Sequence, residues 1–150
     1  KCWVDKDGDS YAVNSTGMLS ACTCPKGYTN RDPGQPGNAD CQTSNASVYP
    51  GQFGWFAVAY CSDPICWVGS SKSFDYNCDG LETRRRNDLA FDSCVTLPLP
   101  GGMALCLGSG WLGGKVPACG AAADFQGCSI SSTAKTCQRT VTVGMKQECH

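Results

Sequence analysis

The chain has 150 residues, a formal net charge of −1 and thirteen cysteines. This cysteine content is typical of a disulfide scaffold that forms in an oxidising compartment. The near-neutral charge and the lack of a long basic tract argue against nucleic acid or an anionic membrane as the partner. No apolar stretch approaches the roughly 18 residues of a membrane-spanning helix. We therefore expect a secreted, extracellular protein without a membrane span and without nucleic-acid binding.

The cysteine spacing favours disulfides over a zinc centre. Cys22 and Cys24 form a CxC pair, and Cys61 and Cys66 form a C-x4-C pair. No CxxC pair occurs, and His150 is the only histidine. The ligand spacings of zinc fingers are therefore absent.

An odd number of cysteines leaves at least one thiol that is unpaired or that bonds outside the chain. Cys2 and Cys149, near the two ends, are the first candidates. The six cysteines from Cys94 onward form three bridges if they pair internally, which places the odd thiol in the first half. An intermolecular disulfide and an inert buried thiol stay open as alternatives.

Residues 1–80 are rich in turn-forming residue types, and residues 30–40 read NRDPGQPGNAD. The prolines and glycines of that segment disfavour a helix or a central strand. Residues 53–60 form the one aromatic and apolar patch, which predicts a strand or a buried hairpin arm. We expect Trp55, Phe56 and Tyr60 to form a minimal core, with an exposed interaction patch as the alternative.

Residues 81–92 are charged and predict a linker or a short helix. Beyond them, short strands are predicted at residues 94–97, at residues 103–107 and from residue 138 onward. Residues 140–145 alternate Thr or Gly with Val or Met, which is typical of a half-buried strand.

Two acidic runs alternate oxygen-bearing side chains as a calcium loop does. Residues 5–9 read DKDGD, and residues 75–80 read DYNCDG. Ca²⁺ binds six to eight oxygen ligands. Neither run completes an EF-hand, because Thr16 and Arg86 stand where the motif needs its closing Glu. Ligands from more distant residues are therefore required, unless both runs are ordinary surface turns.

The first half resembles the repeat of MopE-type surface proteins, which are secreted by methanotrophs and myxobacteria. The shared features follow one order, namely DxDGDxY at residues 5–11, Cys22, Gly-Tyr at 27–28, Asp-Cys at 40–41, VxPG at 48–51 and the acidic run at 75–80. The resemblance implies a loop-built calcium-binding module in which Asp40 is a distant ligand. Ser10 departs from the usual glycine, and Gln42 stands where the repeat often carries a carboxylate. The second half loosely resembles small cysteine-rich modules of other myxobacterial surface proteins, which implies an extracellular structural or attachment role.

We predict a small disulfide-rich fold that is dominated by loops and contains short β-strands. A calcium-stapled module spans residues 1–80, a linker spans 81–92, and a cysteine-rich β module spans 93–150. The predicted Ca²⁺ ligands are the backbone carbonyl of Tyr11 and the side chains of Asp5, Asp7, Asp9, Asp40, Asp75, Asn77 and Asp79.

The expected function is that of a non-enzymatic calcium-binding structural or attachment protein of a bacterial cell surface, with an unknown surface partner or with itself as partner. A catalytic triad would need a positioned imidazole, and His150 lies beside a cysteine that is expected to be bonded. The first alternative is a filament or coat subunit that assembles through the odd cysteine or a strand edge. The second is a copper-acquisition protein, which would need a histidine from a partner chain.

Overall fold

The computed structural model describes residues 1–63, 67–133 and 136–150. The described chain contains short antiparallel strands and one 3-10 turn, Pro100–Gly102, and no α-helix. No helix in these ranges is long and apolar enough to cross a membrane. The predicted disulfide-rich, loop-dominated fold with short strands is confirmed. The strands are β1 Trp3–Val4, β2 Tyr28–Thr29, β3 Tyr60–Cys61, β4 Lys72–Ser73, β5 Val95–Pro98, β6 Ala104–Leu107, β7 Gly110–Trp111, β8 Ala122–Ile130 and β9 Cys137–Lys146.

Disulfides connect much of the chain, as the composition predicts. They join Cys2 to Cys24, Cys41 to Cys78, Cys94 to Cys128 and Cys106 to Cys137, and Cys61, Cys119 and Cys149 are also disulfide-bonded. Bonds of this number indicate an oxidising, extracellular or secreted environment.

The free thiol in the described part of the chain is Cys22, and it is exposed. Cys2 and Cys149 are both bonded, so the choice of these two as candidates was wrong. The free thiol does lie in the first half, but it is not the inert buried type. Cys66 lies outside the described residues.

The chain divides into two compact units. Unit 1 comprises Lys1–Thr83 and Cys149–His150, and unit 2 comprises Arg84–Glu148. Most of the predicted linker segment belongs to unit 2, where the backbone N–H of Trp111 donates to the carbonyl of Asp88 at 2.9 Å. Residues 81–92 contain no helix, so the short-helix alternative is wrong.

Unit 1 has a small core around Val48, Tyr60 and Tyr76, against which Phe56 packs. The Phe56 ring stacks on Tyr76 with a centroid distance of 3.6 Å. The predicted aromatic strand is largely absent, since only Tyr60 of residues 53–60 lies in a strand and Phe53 is 86% exposed. Two strand pairs, β1–β2 and β3–β4, complete the regular structure of this unit.

Unit 2 contains the β5–β6 hairpin and a three-stranded antiparallel sheet in the order β7–β8–β9. Trp111 is fully buried, and its indole N–H donates to the carbonyl of Arg86 at 3.2 Å. A side chain at Gly110 would place its Cβ 2.4 Å from the backbone of Leu89, so only glycine fits there.

The last predicted strand forms as β9, but it is not half-buried. Val141 is 44% exposed and Val143 is 79% exposed. Its only neighbouring strand among the described residues is β8, so no second layer covers these valines in this unit. The period-two pattern identified the strand correctly and overestimated its burial.

Candidate metal centre

The first acidic run forms a tight loop directly after β1. The Asp5 carboxylate accepts backbone hydrogen bonds from Gly8 at 2.7 Å and from Ser10 at 2.9 Å. Gly8 and Ser10 both have left-handed backbones, with φ of 87° and 76°. This loop brings one carboxylate oxygen each of Asp5, Asp7 and Asp9 to within 4.8 Å of one another.

Several oxygens of this cluster are buried without a partner. Both carboxylate oxygens of Asp7 and the Oδ2 atom of Asp9 are shielded from solvent and lack a hydrogen bond of normal geometry from any described residue, although the backbone amide of Asn45 lies near enough to Asp7 to interact with its charge. Asp5 itself is only 8% exposed. Buried, unpaired carboxylate oxygens are costly, and proteins usually neutralise them with a proton, a cationic side chain or a metal ion.

The pKa values of Asp7 and Asp9 reflect the same burial and the repulsion between neighbouring carboxylates. Burial raises the pKa of Asp9 to about 7, and the charges of Asp7, Asp40 and Asp5 add to this effect against the hydrogen bond from the Tyr11 amide. Burial also raises the pKa of Asp7, against the lowering effect of the Asn45 backbone amide and with a further increase from the charge of Asp5. In the absence of a cation, this environment therefore shifts Asp7 and Asp9 toward the protonated form.

Asp40 is the distant carboxylate of this site. It is 4% exposed, its backbone N–H donates to the carbonyl of Ala12 at 3.1 Å, and its Oδ1 atom accepts from the amide of Gln42 at 2.7 Å. Burial raises its pKa, and the charges of Asp7 and Asp5 raise it further. The structure thus brings Asp40 next to the acidic loop, although it lies 31 positions after Asp9 in the chain.

The second acidic run is satisfied by its own backbone. The two oxygens of Asp75 accept from the amides of Asp79 at 3.1 Å and Gly80 at 2.9 Å. The oxygens of Asp79 accept from the Leu81 amide at 2.8 Å and from the Asn77 side chain at 2.9 Å. No described carboxylate oxygen in this run is buried and unpartnered.

A second cluster joins Asp40 to sulfur. One Asp40 oxygen and the Sγ atoms of Cys41 and Cys78 lie within 4.8 Å of one another. These sulfurs form a disulfide, and metals bind the thiolate form of cysteine. This cluster is therefore not a second metal centre, but it places the disulfide beside the first one.

Two residues near the site have roles that the sequence did not indicate. Gln42 is buried, and its side-chain amide donates to the carbonyl of Cys61. Tyr11 contributes its backbone N–H to Asp9 at 2.8 Å. A ligand role for the Tyr11 carbonyl stays a prediction. A cavity of about 190 Å³ adjoins the loop, with Lys6, Tyr11 and Asp40 among its lining residues.

No protein-family model, curated protein or solved structure matches this chain. The resemblance to MopE-type repeats therefore stays a prediction. The geometry of the acidic loop and Asp40 is what indicates a functional site.

Proposed function

We propose that this protein binds Ca²⁺ at Asp5, Asp7, Asp9 and Asp40. The observation that carries the proposal is the set of buried carboxylate oxygens on Asp7 and Asp9 that lack a hydrogen bond of normal geometry from any described group. A cation at this position would remove both the repulsion and the unsatisfied acceptors. The Tyr11 carbonyl would supply a further oxygen.

The donor set favours calcium over other metals. All proposed ligand atoms are oxygens, which suits hard cations, whereas zinc and copper prefer imidazole and thiolate. Ca²⁺ tolerates irregular coordination, whereas Mg²⁺ needs near-octahedral geometry and keeps several waters. An irregular loop with three clustered carboxylates, and with Asp40 close enough for its charge to interact with them, therefore fits calcium best.

The weaker part of the predicted ligand set is the second acidic run, with Asp75, Asn77 and Asp79. Binding an ion there would require that carboxylate oxygens give up or share existing bonds to backbone amides. We propose that this run acts chiefly as a structural loop, with at most a weak calcium site.

The proposed role of the protein is non-enzymatic. We propose that calcium and disulfides together hold a loop-rich module that serves as a structural or attachment element at a bacterial cell surface. The ion would fasten the loop of residues 5–9 to residue 40, in a unit whose hydrophobic core is small. Binding to the folded form alone would stabilise it by about 2.7 kcal/mol when Ca²⁺ is at 100 times its Kd.

Thermal unfolding of chelator-treated protein with intact disulfides tests this proposal. Excess Ca²⁺ should raise the midpoint by about 5 to 10 °C for a protein of this size, and Mg²⁺ should have a smaller effect. A Ca²⁺-independent midpoint would contradict calcium binding. A rise with Cu²⁺ alone would instead favour copper acquisition.

Self-assembly as a filament or coat subunit is the second candidate, and an exposed apolar face on unit 2 favours it. In the β5–β6 hairpin, Val95 pairs with Leu107 and Leu97 pairs with Leu105. These four side chains share one face and are 38% to 46% exposed. Such a face is uncommon on a monomer.

Sedimentation at increasing protein concentration tests the second candidate. Assembly should respond to Leu97→Ser combined with Leu105→Ser, which makes the face polar. A non-reducing gel detects any contribution from the exposed Cys22 thiol. A monomer at all concentrations would contradict self-assembly.

A further inference from the structure

The Cys41–Cys78 disulfide links the segment that carries Asp40 covalently to the second acidic run. Cys41 directly follows Asp40, and Cys78 lies inside the run of residues 75–80. An oxygen of Asp40 lies within 4.8 Å of both sulfur atoms. Any movement of this disulfide therefore acts on the one carboxylate that reaches the acidic loop from a distance.

One residue of this disulfide, Cys41, lies at the protein surface. Cys41 is exposed, whereas all other disulfide-bonded cysteines in the described ranges are buried or half-buried. Thiol–disulfide exchange requires that a thiolate reach a sulfur atom, so access strongly influences which bond reacts first. A dithiol in solution can therefore approach this bond from the side of Cys41.

Charge repulsion between the carboxylates determines how breaking the disulfide affects calcium binding. Without a cation, Asp40 is repelled by Asp5 and Asp7, and the disulfide helps to hold it beside them. Breaking the bond relieves that repulsion. With a bound cation, the same carboxylates are attracted to a shared centre, so separating Asp40 from the loop becomes unfavourable.

We propose that the Cys41–Cys78 disulfide is a redox switch for calcium binding, such that reduction weakens the site and bound calcium protects the bond. This inference rests on the proposed function. In the reaction, a dithiol donates two electrons and two protons, the Cys41–Cys78 bond breaks, both cysteines become thiols, and the reductant becomes a disulfide. By linkage, reduction lowers calcium affinity by the same factor by which saturating calcium lowers the equilibrium constant for reduction.

The test uses the full chain with its native disulfides and dithiothreitol as the reductant. At neutral pH, samples contain Ca²⁺, Mg²⁺ or chelator, and mass spectrometry follows alkylation of Cys41 and Cys78 at equilibrium. Calcium should lower the equilibrium constant for reduction of this bond by about tenfold or more, within the usual range of such coupling. The Cys94–Cys128 bond of unit 2 is the internal control and should change by less than about twofold.

A pair of double variants measures the reciprocal effect. Cys41→Ser with Cys78→Ser should lower calcium affinity by about tenfold, whereas Cys106→Ser with Cys137→Ser should leave it within about twofold. The reduction experiment uses the wild-type protein. It therefore tests the coupling between calcium and the disulfide even where a double variant does not fold.

The outcomes separate the switch from the calcium site itself. Tight calcium binding by the oxidised protein, with no effect of calcium on reduction, would overturn the switch and leave the proposed function standing. Absence of calcium binding in a direct titration of the oxidised protein would overturn both.

Discussion

The two acidic loops of unit 1 have similar backbones but different electrostatics. In each loop the first aspartate, Asp5 or Asp75, accepts backbone hydrogen bonds from residues three to five positions later. In each loop the fourth and sixth residues also have positive φ. The two runs therefore form related turns, as their common D-x-(D/N)-x-D pattern predicts.

The difference lies at the third position and in the surroundings. The first loop carries Asp7 there, with both oxygens buried and unpartnered. The second loop carries Asn77, whose side-chain amide donates to Asp79 at 2.9 Å. This bond satisfies one carboxylate oxygen of Asp79. Asp40 adds a fourth carboxylate to the first loop. A calcium-type pattern thus becomes a candidate site only where burial and a distant carboxylate leave the oxygens unsatisfied.

Loss of the third carboxylate should have the largest effect. Asp7→Asn removes one charge while keeping the size of the side chain, and it should lower calcium affinity by about a hundredfold, or about 2.7 kcal/mol. Isothermal titration calorimetry measures the affinity. Asn77→Ala in the second loop is the matched control, and a comparable loss in that variant would contradict the distinction between the loops.

The opposite substitution, from amide to carboxylate in the second loop, should strengthen calcium binding there. Asn77→Asp adds a carboxylate at the third position and removes the amide that satisfies Asp79. Calorimetry should then show an additional weak binding event, strengthened by about tenfold or 1.4 kcal/mol relative to any binding there in the wild type. An unchanged titration would mean that burial and Asp40 matter more than the third carboxylate.

The stability of metal-free protein should depend on pH, because the site contains carboxyl groups with raised pKa values. The pKa values of Asp7, Asp9 and Asp40 are raised in the folded state, and that of Asp9 reaches about 7. The stability that protonation contributes is present at low pH and is lost as the pH rises through the folded-state pKa. Urea unfolding of chelator-treated protein should therefore show lower stability at pH 8 than near pH 5, by about 1 kcal/mol after allowance for solvent screening.

Two controls accompany the pH measurement. Asp9→Asn should flatten the pH dependence, because it removes the carboxyl group whose pKa is raised to about 7. Saturating Ca²⁺ should stabilise the protein more at pH 8 than at pH 5, since protons compete for the same oxygens. Greater stability of the metal-free protein at pH 8 would contradict the account.

The smallest effect concerns the sixth position of each loop. Ser10 adopts a left-handed backbone with φ of 76°, which glycine adopts more easily. Ser10→Gly should stabilise the protein by about 0.5 kcal/mol, after the greater entropy of glycine in the unfolded chain is subtracted. Gly80→Ser, at φ of 84° in the other loop, should destabilise it by a similar amount. Urea unfolding measures both, and effects of the same sign would contradict the shared backbone conformation.

The sequence predicted the fold class and several strands for clear physical reasons. Cysteine content predicted the disulfide scaffold, and alternation at residues 140–145 predicted β9. It did not predict β8, because Gly127 and the polar Gln126 interrupt any apolar alternation there. Gln126 is nevertheless fully buried, since its amide donates to the backbone carbonyls of Gly108 and Phe91.

The candidate site was predictable only in part. The spacing of Asp5, Asp7 and Asp9 indicated a shared centre, and the structure brings them together. The sequence weighted the two acidic runs almost equally, because the pattern contains no information about burial or about which amides satisfy which oxygens. The expectation that Cys2 or Cys149 is the odd cysteine was wrong. Position along the chain does not determine disulfide pairing.

The most direct test of the central claim is a calcium titration, by calorimetry, of chelator-treated protein with intact disulfides, alongside Asp7→Asn. The account predicts one dominant Ca²⁺ site in the wild type, with affinity that falls by about a hundredfold in Asp7→Asn. Absence of binding in the wild type, or equal affinity in the two proteins, would contradict a calcium site at Asp5, Asp7, Asp9 and Asp40.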